Sequence, residues 1–299
     1  FDTMKTQNFT PLKRVNSVTK TKHGLLASVD DEFLRVDVIS TRLVRIKISV
    51  GGVFDERPSY AIAEEPTLSN KFRVKTRQGV TTLDTGGVQV EVRHEPFSFV
   101  VHNQRPRGSW QYLYPVSIEP VEDHDGSWNY ARHGDKFMLR RRIGSEDHIF
   151  GLGEKTGSFN RRGRDFTMWN TDVLNPTASG EFTGQYAQGD PRADNTSTEF
   201  DPYYVSIPFY YHLSAKSGAA SGSFIDNAYR GHYDFTSEDE IKIHFNGGQY
   251  TEYVFGSPSI AKILMDFTEL TGRTALPPLW ALGFHQSRWY AYKQADVEA

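Results

Sequence analysis

From about Leu25 to Phe245 apolar and polar residues alternate along the chain, the period of strands that bury one face. "FLRVDVIS" sets Leu34, Val36 and Val38 on one face and Arg35 and Asp37 on the other, and "LVRIKISV" repeats the pattern with Val44, Ile46, Ile48 and Val50. "GVQVEVRHEPFSFVVHN" predicts two more strands around a turn at His94 to Pro96, and "EIKIHFNGGQYTEYVF" predicts a hairpin about Gly247-Gly248. Many short strands with polar turns predict a mainly β protein, an antiparallel β-sandwich whose sheets are wet on one side.

After Phe255 the pattern changes. Ser257 and Pro258 read as a cap followed by a first-turn proline, and Ile260, Ile263, Leu264, Phe267 and Leu270 recur at helical spacing until Gly272. Past the stiff Pro277-Pro278 pair, Leu279 to Phe284 is a short apolar burst consistent with a strand buried on both faces. His285 in such a strand is either a hydrogen-bonded core residue or a catalyst. "KQADVEA" then opens a helix. These changes divide the chain into a sandwich over 1–256, a connecting helix over 257–276 and the start of an α/β domain over 277–299. On that reading the chain is a processed or excised part of something longer.

Within the sandwich, 159–204 is polar and aromatic with little periodicity, far longer than the usual loop of roughly 4–6 residues. Its Phe182, Tyr186, Phe200, Tyr203 and Tyr204 argue for partial packing.

Composition narrows the chemistry. Lys and Arg number 34 against 37 acidic residues, a net charge of -3, so no cationic excess exists for a nucleic acid or an anionic membrane. No run of about eighteen apolar residues would span a bilayer. The absence of cysteine removes disulfides, thiolate metal sites and a cysteine nucleophile. The ten histidines lack metal-ligand spacing, "DHDG" at Asp123 to Gly126 lacks the rest of a calcium loop, and no G-x-S-x-G is present. No metal and no cofactor are therefore expected.

The glycine-rich "FGLGEKTG", Phe150 to Gly157, raises the question of a phosphate loop. Its spacing fits neither fingerprint: Lys155 follows Glu154 rather than glycine, Thr156 stands where the third dinucleotide glycine belongs, and no helical period follows. Trp169, Asn170, Thr171 and Asp172, and separately Ser287, Arg288, Trp289 and Tyr290, combine rings with hydroxyl, amide and charged groups. That mixture suits a pyranose, which offers C–H faces to a ring and hydroxyls to polar edges. It equally suits a core tryptophan beside a turn capped by Asp172.

Three stretches in order resemble glycoside hydrolase family 31, the α-glucosidases, α-xylosidases and related α-glycoside transferases: "FGLGEKTGSFNRRGRDFTMWNTD", "DPYYVSIPFYY" and "TGRTALPPLWALGFHQSRWYAY". The resemblance implies a galactose-mutarotase-like N-terminal β-sandwich followed by the first strand of a (β/α)8 TIM barrel, with the site at the barrel's C-terminal face. It makes "FGLGEKTG" a sharp turn at the site end of the sandwich. It implies that Asp172 hydrogen-bonds sugar hydroxyls, that Trp289 walls the sugar pocket, and that Thr171, Arg288 and Tyr290 lie nearby. The expected activity is retaining cleavage of an α-linked glucoside or oligosaccharide, with transfer, α-xyloside cleavage or a non-catalytic carbohydrate-binding sandwich as alternatives. The two catalytic aspartates of the family belong to later barrel strands, so the expected partner is the missing barrel segment or a second chain.

Overall fold

Alternation of β-branched and aromatic residues with polar ones gives strands wherever it is sustained. The computed structural model describes residues 9–103, 114–118, 121–123, 126–170, 201–257, 259–285 and 293–298. Its first strands are β1 (Thr10–Pro11), β2 (Val15–Lys20), β3 (Gly24–Val29), β4 (Glu32–Val38) and β5 (Leu43–Ile48). There follow β6 (Arg73–Arg77), β7 (Val80–Asp84), β8 (Val88–His94), β9 (Phe97–Asn103), β10 (Tyr114–Ile118), β11 (Val121–Asp123) and β12 (Gly126–Trp128). Next come β13 (Tyr130–His133), β14 (Lys136–Arg142), β15 (His148–Gly153) and β16 (Asp165–Met168). The last are β17 (Ser206–Leu213), β18 (Ala220–Ile225), β19 (Gly231–Asp234), β20 (Glu240–Phe245) and β21 (Tyr250–Phe255), then helices α1 (Ile260–Thr271) and α2 (Gln294–Glu298).

An eight-stranded sheet runs β15-β17-β18-β21-β5-β4-β3-β2, a six-stranded sheet β1-β13-β14-β20-β19-β16, and a five-stranded sheet β10-β9-β8-β7-β6, while β11 and β12 form a small ribbon. Neighbouring strands pair antiparallel in every sheet. One core joins the three large sheets: Leu25, Val36 and Ile46 meet Leu83, Val90 and Phe99, and Tyr130, Phe137 and Ile243. Each such side chain contributes about 1.5–3 kcal/mol by leaving water. The antiparallel sandwich read from the sequence is what forms.

Across that core, β14 and β21 are tied by a charged knot. Arg141 donates to Glu252 Oε2 at 2.6 Å, to the Tyr210 hydroxyl at 2.6 Å and to Ser223 Oγ at 3.1 Å. Ser223 Oγ and the Tyr250 hydroxyl both donate to Glu252. The ion-paired side chains are 1% and 0% exposed.

Several details differ from the periodicity. The expected hairpin about Gly247-Gly248 does not form: β20 pairs with β14 and β19 in one sheet, and β21 with β18 and β5 in the other. Ile243 and Phe245 on one strand and Tyr250 and Val254 on the other face the shared core from opposite sides, which a paired hairpin in one sheet would not allow. Nor is the second face of the eight-stranded sheet wet at β4 and β5. Asp37, Arg45 and Lys47 are buried there beneath the segment from Phe54 to Glu65, with Arg45 bonded to Asp37 at 3.0 Å and Glu65 at 2.5 Å, and Lys47 to Glu56 at 3.2 Å. Ion pairing lets charged residues at those alternate positions be covered.

Helix α1 packs Ile263, Phe267 and Leu270 on the same face, where Phe267 stacks on Phe209 at 4.1 Å. Its cap is Ser259, whose side chain accepts from Lys262 N–H, rather than Ser257; Pro258 lies outside the described residues. Beyond it, Leu279–Leu282 forms a 3-10 turn instead of the expected strand, and Leu279, Trp280 and Phe284 are exposed. His285 is exposed too, its Nε2 on Ala281 O at 2.9 Å, and is not in a core among the described residues. A strand buried on both faces needs neighbours on each side, and among the described residues none covers this segment.

Candidate functional site

"FGLGEKTG" is the last four residues of β15 and the turn after it. Gly151 and Gly153 have φ of 120° and 78°, and Leu152 between them has φ of 71°. A Cβ at Gly151 would stand 2.6 Å from Phe209 O, and one at Gly153 2.7 Å from Val205 O. The glycines thus let β15 lie against the backbone of β17 while the register slips between Gly151 and Gly153. Close backbone approach, rather than an anion, accounts for them.

The lysine of this stretch turns inward. Lys155, its side chain 0% exposed, donates to Thr167 O at 2.7 Å and Ser206 Oγ at 3.0 Å and lies 3.5 Å from Asp201 Oδ1. Asp201 accepts in turn from Thr167 N–H at 2.6 Å. Burial pushes Lys155 down from the ordinary lysine range and Asp201 up, and the attraction between them opposes both shifts. Arg161 folds the turn beneath, donating to Ser158 O at 2.9 Å and Gly151 O at 3.2 Å.

Ser206 passes this order to the chain after β16. Its Oγ accepts from Trp169 N–H at 3.1 Å and donates to Trp169 O at 2.8 Å, while its N–H donates to Asn170 Oδ1 at 2.7 Å. Asn170 and Tyr203 form a parallel bridge. Trp169 is 49% exposed with Arg230 over its ring at 5.9 Å, and Tyr203 and Tyr204 meet edge to face at 4.8 Å. The points where the chain departs at Asn170 and returns at Asp201 are therefore pinned side by side. The result is a rim of half-exposed rings on a buried polar mount, the type of surface that stacks on an apolar sugar face.

Thr171 and Asp172 follow Asn170 directly and lie outside the described residues, as do Pro176 to Phe200 and Arg288, Trp289 and Tyr290. The structure thus places the mount of the Trp-Asn-Thr-Asp segment and does not test the five predicted site residues. Lys155, Asp201 and Ser206 are not among the site residues the sequence predicts. Nothing local marks them, because a lysine beside two glycines ordinarily faces water.

Residues 33–234 match the glycosyl hydrolase 31 N-terminal galactose mutarotase-like domain, and the chain belongs to that family. It is 30% identical over 280 residues to alpha-glucosidase 2 of Bacillus thermoamyloliquefaciens, covering 93% of this chain and 31% of the relative. With an alpha-glucosidase of Saccharolobus solfataricus it shares 32% identity over 169 residues, 56% of this chain and 21% of the relative. A Flavobacterium johnsoniae GH31 dextranase complexed with isomaltotriose superposes with a TM-score of 0.70 at 25% identity, covering 92% of this chain and 30% of that one. The chain thus spans about a third or less of the length of these relatives.

Proposed function

We propose that this glycosyl hydrolase 31 chain is the front part of a retaining α-glucoside hydrolase and supplies substrate-contacting residues to a barrel that carries the catalysis. The observation that carries this reading is the polar mount of Lys155, Asp201 and Ser206, which fixes Trp169 and Asn170 immediately before Thr171 and Asp172. Asp172, with Thr171 beside it, would accept hydrogen bonds from hydroxyls of the sugar being transferred. Trp289, flanked by Arg288 and Tyr290, would wall the pocket from the end of the first strand of a (β/α)8 barrel. Support for a barrel starting at 277–299 comes from Leu276, Leu279, Trp280 and Phe284, which are 92%, 85%, 76% and 91% exposed: so much bared apolar surface in one short segment is what a further packed layer would cover.

The chemistry would follow the two-carboxylate scheme, with one aspartate forming the glycosyl intermediate and a second, roughly 5–5.5 Å away, acting as acid and then base. Both are assigned to the barrel, and Asp172 is not given either role. Turnover of a panel of α-glucosides and α-xylosides by the full-length gene product tests the proposal. Asp172→Ala should cost about 1–3 kcal/mol of transition-state stabilisation, the scale of leaving partner groups unpaired. Trp289→Ala should cost more. Unchanged kcat/KM in Asp172→Ala would remove that residue from the site, and no turnover of any α-glycoside would sink the hydrolase reading.

A further inference from the structure

We propose that the outer face of the five-stranded sheet is a second binding site, separate from the rim at Trp169, for an acidic glycan that carries carboxylates along its length. Strand β6 is the edge of that sheet, and its alternation puts Arg73, Lys75 and Arg77 on the outer face with Val74 turned toward the core. Same-face residues on a strand stand about 6.6–6.8 Å apart, so the three cations form a row roughly 13 Å long. The row borders a groove of about 560 Å³, a volume in the range of small-ligand sites. Register carries the groove floor onto Thr82 of β7 and onto Gln89 and Glu91 of β8.

The charge here runs against that of the whole molecule, which is -3. Arg73 is partly neutralised by Asp84 at 3.0 Å, and Glu91 is occupied with His102 at 3.6 Å. Lys75 and Arg77 have no carboxylate partner among the described residues. Polar groups facing the same way are also unmet: Gln89 Oε1 and His102 Nδ1, opposite each other in the β8–β9 ladder, are buried with no hydrogen-bond partner. Basic residues on an edge strand do guard against pairing with another chain. That role does not account for a concave floor or for an amide oxygen and one imidazole nitrogen left without partners.

The arrangement selects the ligand class. Cations spaced along a row suit single charges repeated along a polymer, whereas one phosphate needs donors that converge on a point. Sugar hydroxyls would donate to Gln89 Oε1 and accept from the groove's donors. Among the described residues Val80 is the one apolar side chain lining the groove, which gives an acidic peptide little to anchor on.

Titration calorimetry of this chain with tetragalacturonate at low salt tests the site, with maltotetraose, inorganic phosphate and hexaglutamate as the other arms. Saturable binding of tetragalacturonate alone is expected, weakened about tenfold or more by Lys75→Glu/Arg77→Glu and suppressed at high salt. Gln89→Leu should weaken binding while leaving its salt dependence unchanged. All of the substituted residues lie on the outer face of the sheet, and far-UV circular dichroism checks that the sheets persist. No saturable binding, equal affinity in the charge-reversed variant, or binding of phosphate or hexaglutamate as tight as that of the glycan would each overturn the proposal. None of these measurements depends on turnover.

Discussion

Replacing Arg141 by methionine keeps much of the side-chain volume but strips Glu252 of its counter-charge in the middle of the sandwich. The two side chains are 1% and 0% exposed, so the abandoned carboxylate has no water to turn to. It keeps donors from Ser223 and Tyr250, while the Tyr210 hydroxyl loses its 2.6 Å partner. Removing one member of a buried ion pair costs about 3–5 kcal/mol, well above the roughly 1 kcal/mol of an ordinary substitution. For a chain of 299 residues, an unfolding entropy of about 2.1 cal/mol/K per residue converts that loss to a fall of roughly 5–8 °C in Tm. Calorimetry and urea unfolding at pH 7 should agree on this size. The cause is isolated by Arg141→Met/Glu252→Gln, in which the remaining group is neutral but still accepts from Ser223 and Tyr250. This double variant should be more stable than Arg141→Met by about 1 kcal/mol or more, within the range of coupling between residues in contact. A cost of about 1 kcal/mol or less for Arg141→Met, or two single costs that simply add within about 0.5 kcal/mol, would refute the view that an uncompensated charge sets the loss.

Gly153→Ala should destabilise by more than about 1 kcal/mol, since φ is 78° and the new Cβ would stand 2.7 Å from Val205 O; amide exchange should show β15–β17 opening first. Burial pushes the Asp147 carboxyl up, but hydrogen bonds from His212, Ala215 N–H and Gly144 N–H outweigh it and hold it at about 2. A carboxyl depressed in the folded state stabilises fully above the unfolded value near 4 and loses that contribution as pH falls toward 2. The stability gap between the parent chain and Asp147→Asn should accordingly be open at pH 7 and shrink at about pH 3, read from urea midpoints. Burial, then the neighbouring His232, lowers His244 to about 4. As pH falls, the unfolded chain takes up this proton first, at about 6.5, so stability declines between about 6.5 and 4. His244→Gln should flatten that decline, and an NMR titration placing His244 near 6.5 would contradict the assignment.

Alternation was a sound guide to which face each strand buries. Leu34, Val36 and Val38, and Val44, Ile46 and Ile48, all lie in the core, and the helical spacing from Ile260 to Leu270 corresponds to α1. It misjudged what each strand meets. The glycine pair at Gly247 and Gly248 looks like a hairpin turn, yet it carries the chain from one sheet to the other. A period of two reports the side of a strand, not the sheet it joins, and both strands needed an apolar face toward one core. The apolar burst from Leu279 to Phe284 lies exposed and includes a 3-10 turn for a related reason: apolarity marks a surface to be covered without saying by what.

Of the rim, the sequence revealed Trp169 and Asn170 as a ring beside hydrogen-bonding groups. It also showed by spacing that the glycine stretch fits neither phosphate-loop fingerprint, a local property with strict geometry. The mount beneath was invisible in it. Lys155 reaches Asp201 across 46 positions and Ser206 across 51, and each is an ordinary surface residue by type. Only the packing of β15 against β17 removes the water that would otherwise hold these groups apart, and only then do their hydrogen bonds to one another become the ones that must be made.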